Sequence, residues 1–337
     1  MGKKIIRVIA VVLIPVVCLY LLTLLLTPKY VNDIPEGSMI AEYYKSEKNN
    51  DVLILGDCEV YENISTVKMW EEYGITSYIR GSSEQLIWQS YYLLEDTLKH
   101  ETPKVVVLSM LAMSEADAKS EAYNRMTLDG MRWSKSKWNS IKESMTEKET
   151  MGSYIFPLLR YHSRWSELSS EDFRYMWKTP SVTTNGYLMQ KGVKPVTTIP
   201  KAAPLANYTF SDRNMEYLDK IYSLCKDNGI NLVLMKAPSV FPHWYDEWDK
   251  QVNDYADEHG ILYLNTINEA ENIGIDYTTD TFDYGQHLNV EGAEKLSLYL
   301  GEQLVKKFGL TDHRQDESYK NVWQTIVNKY YEEKQGD

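Results

Sequence analysis

Short unbroken apolar runs alternate along this chain with longer stretches whose apolar positions recur every third or fourth residue. The short runs predict buried strands at Asp51 to Leu55, Ser77 to Ile79, Val105 to Leu108, Asn231 to Met235 and Leu262 to Leu264. The periodic stretches predict helices at Ser65 to Tyr73, Glu84 to Leu98, Met215 to Lys226, Trp244 to His259 and Val290 to Phe308. Ser65 occupies the N-cap position of the first, and Ser82 and Ser83 read as N-caps of the second. From about Ala112 to Leu205 the pattern is helical but mixed, rich in Trp, Tyr and Arg. After Asp312 a polar tail still spaces Trp323, Ile326, Tyr330 and Tyr331 as a helix would.

Strands alternating with helices imply βαβ units, and their continuous apolar character implies burial on both faces of a parallel sheet. The expected fold is therefore a three-layer α/β/α domain with a parallel, flavodoxin-like sheet and a largely helical insertion. In such sheets ligands bind beyond the carboxyl ends of the strands, where inserted loops gather.

The amino terminus follows a different rule. Lys3, Lys4 and Arg7 precede Val8 to Leu26, a run with no charge and only Thr23 as a hydroxyl. At ~1.5 Å per residue such a helix nearly crosses a bilayer core. The run is too long for a signal peptide's apolar core, and no small-residue cleavage site follows it. An uncleaved anchor is expected, with a cytoplasmic amino terminus and everything after about Lys29 outside the cytoplasmic membrane. Three parts result: an anchor over 1–28, an extracytoplasmic domain over 29–311 with its insertion at about 112–205, and a helical tail over 312–337.

Composition narrows the chemistry. A net charge of −12 argues against nucleic acid, which draws on clustered Lys and Arg. Three cysteines, of which Cys18 lies within the anchor, leave at most one disulfide, Cys58 to Cys225. His162 and His243 stand isolated, no spacing of His, Cys or carboxylates reads as a metal site, and no cofactor is expected.

Two loops carry candidate chemistry. The first strand ends in Gly56-Asp57-Cys58, which places a thiol at the turn beyond its carboxyl end; the loop before the last long helix, FDYGQHLN, holds His287 with Asp283 four residues earlier. A thiol nucleophile needs a base, and the base needs a carboxylate to fix its tautomer. Asp280 and Asp276 compete with Asp283 for the third role. Cys58 read alone is equally a small buried hydrophobe, and His287 a loop or cap residue. Asp57 and Glu59 beside the thiol raise its pKa, whereas a helix N-terminus lowers it.

ILGDCEVY at 54 to 61, RGSSEQ at 80 to 85 and QHLNVEGAEK at 286 to 295 resemble three blocks of the SGNH or GDSL hydrolase superfamily. The likeness is to its membrane-anchored envelope branch, which includes DltD- and AlgJ-like proteins, and it covers roughly 50 to 110 and 210 to 308. The resemblance implies Cys58 in the nucleophile position usually held by serine, His287 as base, and Gly81 as a backbone donor to the oxyanion hole. It departs from the family pattern at two places. The acid's usual position, three residues before the histidine, is Tyr284, and Ser109 and Met110 stand where an oxyanion asparagine follows the third strand. The implied activity is acyl transfer or ester hydrolysis on a cell-envelope polysaccharide or teichoic-type polymer. A multipass membrane O-acyltransferase is the implied partner. The other reading is an inactive domain of this fold that binds polymer or scaffolds such a complex.

Within the insertion, Arg125, Arg132, Arg160, His162 and Arg164 lie among Tyr123, Trp133, Tyr161 and Trp165. Arginines beside aromatics suit a glycan or phosphate-bearing polymer, and equally suit a small core with snorkelling arginines. Lys236, just after a strand, is placed to line the same pocket.

Overall fold

The five apolar runs form one parallel sheet in a computed structural model that describes residues 2–28, 37–199 and 201–336, with side chains from residue 11 onward. In chain order come α1 (Gly2–Leu26), β1 (Val52–Gly56), α2 (Cys58–Tyr61), α3 (Thr66–Tyr73), β2 (Ser77–Gly81) and α4 (Ile87–Thr97). β3 (Val105–Ser109) leads into the insertion, whose longest helices are α5 (Glu121–Leu128) and α6 (Lys135–Ser144). Then follow α7 (Asp212–Asp227), β4 (Asn231–Lys236), α8 (Asp246–His259), β5 (Leu262–Asn265), α9 (Val290–Phe308) and α10 (Glu317–Gln335).

The strand order is β2-β1-β3-β4-β5, all parallel, which is the flavodoxin-like doubly wound arrangement. Because side chains alternate along a strand, each strand feeds two cores. Leu53, Leu55, Val106, Leu108, Leu232 and Leu234 face the layer of α4, α7 and α8, while Val52, Ile54, Val105, Val107, Val233 and Met235 face that of α3 and α9. Both faces are thus dry, and that is why the strands read as unbroken apolar runs. The chain leaves β1 toward β2 and afterwards crosses back to β3, so a crevice opens beyond the carboxyl end of β1.

Three expected helix starts move, the one expected at Met215 lying at Asp212 with Ser211 as its N-cap. The helix expected at Glu84 begins at Ile87, because residues 82–86 make a turn in which Glu84 has φ +54 and the backbone N–H of Leu86 donates to the Gln89 side chain. Ser82 and Ser83 therefore do not cap it; the Ser82 hydroxyl is occupied by Gln85 and Thr127. The helix expected from Trp244 starts at Asp246. Ser65 does cap α3, accepting from the Lys68 N–H. In α10, Trp323 stacks on Trp70 with ring centroids 4.8 Å apart and Tyr330 is fully buried.

The expected anchor falls on α1, where Val11, Val12, Ile14 and Tyr20 are exposed. Among the described residues no helix is long and apolar enough to cross a membrane. The side chains of Lys3, Lys4 and Arg7, and the whole of Lys29, lie outside the described residues. The last turn of α1 meets the insertion: Leu26 packs on Leu158 and Tyr161, and Arg164 Nη1 donates to the Leu26 carbonyl.

Candidate active site

The turn after β1 is dictated by close approach. Gly56 has φ +154, and a Cβ there would stand 2.4 Å from the Cβ of Ser109 on β3. Only glycine fits. Asp57 then caps α2, its Oδ1 accepting the Glu59 N–H at 3.0 Å and the Ser109 hydroxyl at 3.5 Å. Cys58 is thereby the first residue of α2, half-buried, and no acceptor takes its N–H among the described residues, as expected for the first amide of a helix.

The second loop is held by its own side chains. Thr281 donates its hydroxyl to the His287 carbonyl at 2.8 Å and accepts the Gly285 N–H at 2.7 Å. Tyr284 and Gly285 both take positive φ, which curls the loop so that Asp283 lies under His287. One Asp283 oxygen accepts the His287 backbone N–H at 2.8 Å and the other meets Nδ1 at 2.6 Å. Asn63, just beyond α2, accepts the Leu288 N–H at 2.7 Å and fastens this loop beside the thiol.

Cys58, His287 and Asp283 consequently line one cavity of about 400 Å³ beyond the sheet's carboxyl edge. Its wall is strongly acidic. Among the described residues, Asp57, Glu59, Glu62, Glu84, Glu115 and Asp283 share this wall with only Lys119 and His287 as basic groups. Burial, then Asp57, Glu62 and Glu59, push the Cys58 thiol well above its usual pKa, so the neighbouring carboxylates outweigh the single turn of α2. Burial works against the His287 charge, but the hydrogen bond to Asp283 and the charge of Glu62 outweigh it and leave its pKa raised. Burial and the nearby Glu59 raise Asp57 to about 7. These shifts favour a neutral thiol, and the His287 ring turns its Nδ1 to a carboxylate. No hydrogen bond joins Cys58 to His287 among the described residues.

Glu62 escaped the sequence reading. Its Oε2 lies 3.2 Å from His287 Nδ1, and its Oε1 accepts from Gln190 at 2.7 Å. The signal was its place four residues after Cys58, since that spacing puts two side chains on one helical face.

The remaining candidates fall elsewhere. Asp280 accepts from Lys295 at 2.6 Å and from the Asp276 N–H at 2.8 Å, so its carboxylate is taken. Gly81 does not line the cavity; it ends β2 in a tight seat, where a Cβ would stand 3.1 Å from the Gly56 carbonyl and 3.2 Å from the Tyr61 ring. Ser109 is buried against Asp57 and is likewise no part of the wall. Lys236 is fully buried, paired with Glu59 and donating to Ser239 at 2.8 Å and to the Ala237 carbonyl at 3.0 Å. An ammonium inside the protein must be paired, which withholds it from any ligand.

The insertion's arginines are similarly committed. Arg125 is fully buried, bonded to Glu121 at 2.8 Å, Asp129 at 3.0 Å and Ser153 at 2.8 Å over the Tyr154 ring. Arg160 pairs with Glu121 at 3.0 Å, and buried Arg164 pairs with Asp172 at 3.0 Å. These three build the insertion's own polar core, away from the Cys58 cavity, whereas Arg132, His162, Tyr123, Trp133 and Trp165 are exposed, Trp165 most of the aromatics at 73%. Cys225 is a buried free thiol on α7, and Cys58 is also free.

No protein-family model matches the chain, and no curated protein matches it. Among solved structures it is similar to a "putative acylhydrolase" from Bacteroides fragilis, at 12% identity over 80% of this chain and 94% of that one, with a TM-score of 0.38. It is similar too to a GDSL-like lipase from Bacteroides thetaiotaomicron, at 12% identity over 79% and 98%, with the same TM-score of 0.38. Likenesses of that size carry no inference about function.

Proposed function

We propose that this protein is a membrane-anchored, extracytoplasmic acyltransferase or esterase of the SGNH type, acting on acyl groups of a cell-envelope polysaccharide. The observation that carries this reading is one cavity lined by a thiol, an imidazole and the carboxylate that grips it, drawn from opposite ends of the domain. With Asp283 accepting from Nδ1–H, Nε2 is the basic nitrogen. The Cys58 sulfur attacks the donor's carbonyl carbon while Nε2 takes the S–H proton. The tetrahedral adduct is held by the Cys58 N–H, then collapses, and the imidazolium returns the proton to the leaving oxygen. A thioester on Cys58 remains. An acceptor hydroxyl attacks it, its proton passes to Nε2 and then to the departing thiolate, and the thiol is restored. Water as acceptor gives hydrolysis.

The raised thiol pKa supports proton removal in step with attack, as for a serine hydroxyl, and not a standing thiolate. The acidic wall disfavours a phosphate-bearing chain at the reacting centre, which supports a neutral polysaccharide over a teichoic-type polymer. A multipass O-acyltransferase in the same membrane is the proposed source of the acyl group.

A second reading is favoured by Gly81 and Ser109 standing outside the cavity wall: a domain that binds polymer without turnover. An activated acetyl ester separates the two. Offered to the full chain and to Cys58→Ala, Cys58→Ser and His287→Ala, it is expected to acylate Cys58 in the wild type, with the rate falling sharply without His287, read by intact mass and peptide mapping. A folded wild type that stays unmodified, or labels equally well without His287, leaves the binding reading.

A further inference from the structure

We infer that residues 155–177 form a surface that sits in the membrane interface, a second contact with lipid beside α1. The inference rests on the anchored reading above. Six large apolar side chains crowd the exposed side of this short segment: Ile155, Phe156, Leu159, Trp165, Phe173 and Trp177. Trp165 is 73% exposed, Trp177 71%, Leu159 58% and Phe173 57%, values foreign to a solvated surface at this density. Leu159, Trp165 and Phe173 sit on the short turns Leu158–Tyr161, His162–Ser166 and Ser170–Arg174, each of which contacts α1, and Ile155, Phe156 and Trp177 flank those turns along the chain.

What covers the patch follows from where α1 ends. The helix exposes Val11, Val12, Leu13, Ile14, Val16 and Val17, yet its final turn is clasped, with Leu26 buried on Leu158 and Tyr161 and its carbonyl held by Arg164. On the anchored reading that open flank lies in hydrocarbon. The turns that clasp its last residues then reach the headgroup level, where Trp and other aromatic rings partition favourably. Arg164, locked between Leu26 and Asp172, ties the patch to the helix end, so that both meet lipid together.

The test places a photoreactive benzophenone amino acid at Ile14, Trp133, Trp165 or Phe173 of the full chain. The protein is reconstituted in phosphatidylethanolamine and phosphatidylglycerol vesicles, irradiated, and examined for lipid adducts by mass spectrometry. All four side chains are exposed, so folding is not at stake. Adducts are expected at Ile14, Trp165 and Phe173, several-fold above Trp133, an exposed aromatic of the same insertion outside the segment. Adducts at Ile14 alone, or yields at Trp165 and Phe173 no higher than at Trp133, overturn the inference and leave the anchor standing. The absence of adducts at Ile14 removes the anchor and the inference with it.

Discussion

His287 holds its proton too tightly to serve as a base at low pH. Its pKa is raised above 6.5, and the neutral form is the one that accepts the thiol proton. Activity is therefore expected to rise with pH through a midpoint above 6.5, read as kcat/KM against pH with an activated ester. Glu62 contributes to that elevation from 3.2 Å, so Glu62→Gln shifts the midpoint to lower pH while preserving turnover at high pH. Asp283→Asn removes the carboxylate on Nδ1 and is expected to lower kcat by about 10²- to 10⁴-fold. Cys58 offers an independent check. With its pKa raised well above 9, iodoacetamide should label it poorly at neutral pH, and faster with each step of alkalinity beyond pH 9. Rapid labelling at pH 7 would show a standing thiolate and refute the concerted mechanism.

At the scale of elements, the site is held by contacts that no catalytic step uses. α2 lies over the buried pair of Glu59 and Lys236, which ties it to the end of β4. Lys236→Met leaves buried Glu59 without its cation, with the Ser239 hydroxyl at 2.6 Å as a remaining donor, a loss of roughly 3–5 kcal/mol. The pair Lys236→Met with Glu59→Leu should recover much of it, as chemical denaturation of the single and double variants would reveal. Strands and long helices were legible because their apolar periods are local: Val290 to Phe308 has the observed bounds, and every strand was recovered to within two residues at either end. The start of α4 was not legible. Glu84 in a left-handed conformation and Gln89 reaching back to Leu86 depend on the turn's packing against Thr127, a residue from the insertion.

For the whole molecule, the anchored reading sets the expected behaviour in a cell. The full chain should remain in the membrane fraction through alkaline carbonate washing, and protease added outside sealed spheroplasts should digest the domain. Digestion only after lysis would reverse the proposed orientation. The sequence by itself determined the alternation of strand and helix, the two loops that carry Cys58 and His287, and the excess of acid. Each of these is written in local order or in simple counts. Only the tertiary structure decided which carboxylates serve the histidine, since Asp283 and Asp280 differ by a loop's curl and Glu62 arrives from the other loop. Burial was likewise invisible in one dimension. Arg125, Arg164 and Lys236 look like ligands for a polymer until neighbouring chain segments surround and pair them, whereas the aromatics left uncovered around the end of α1 become visible only when everything else has packed.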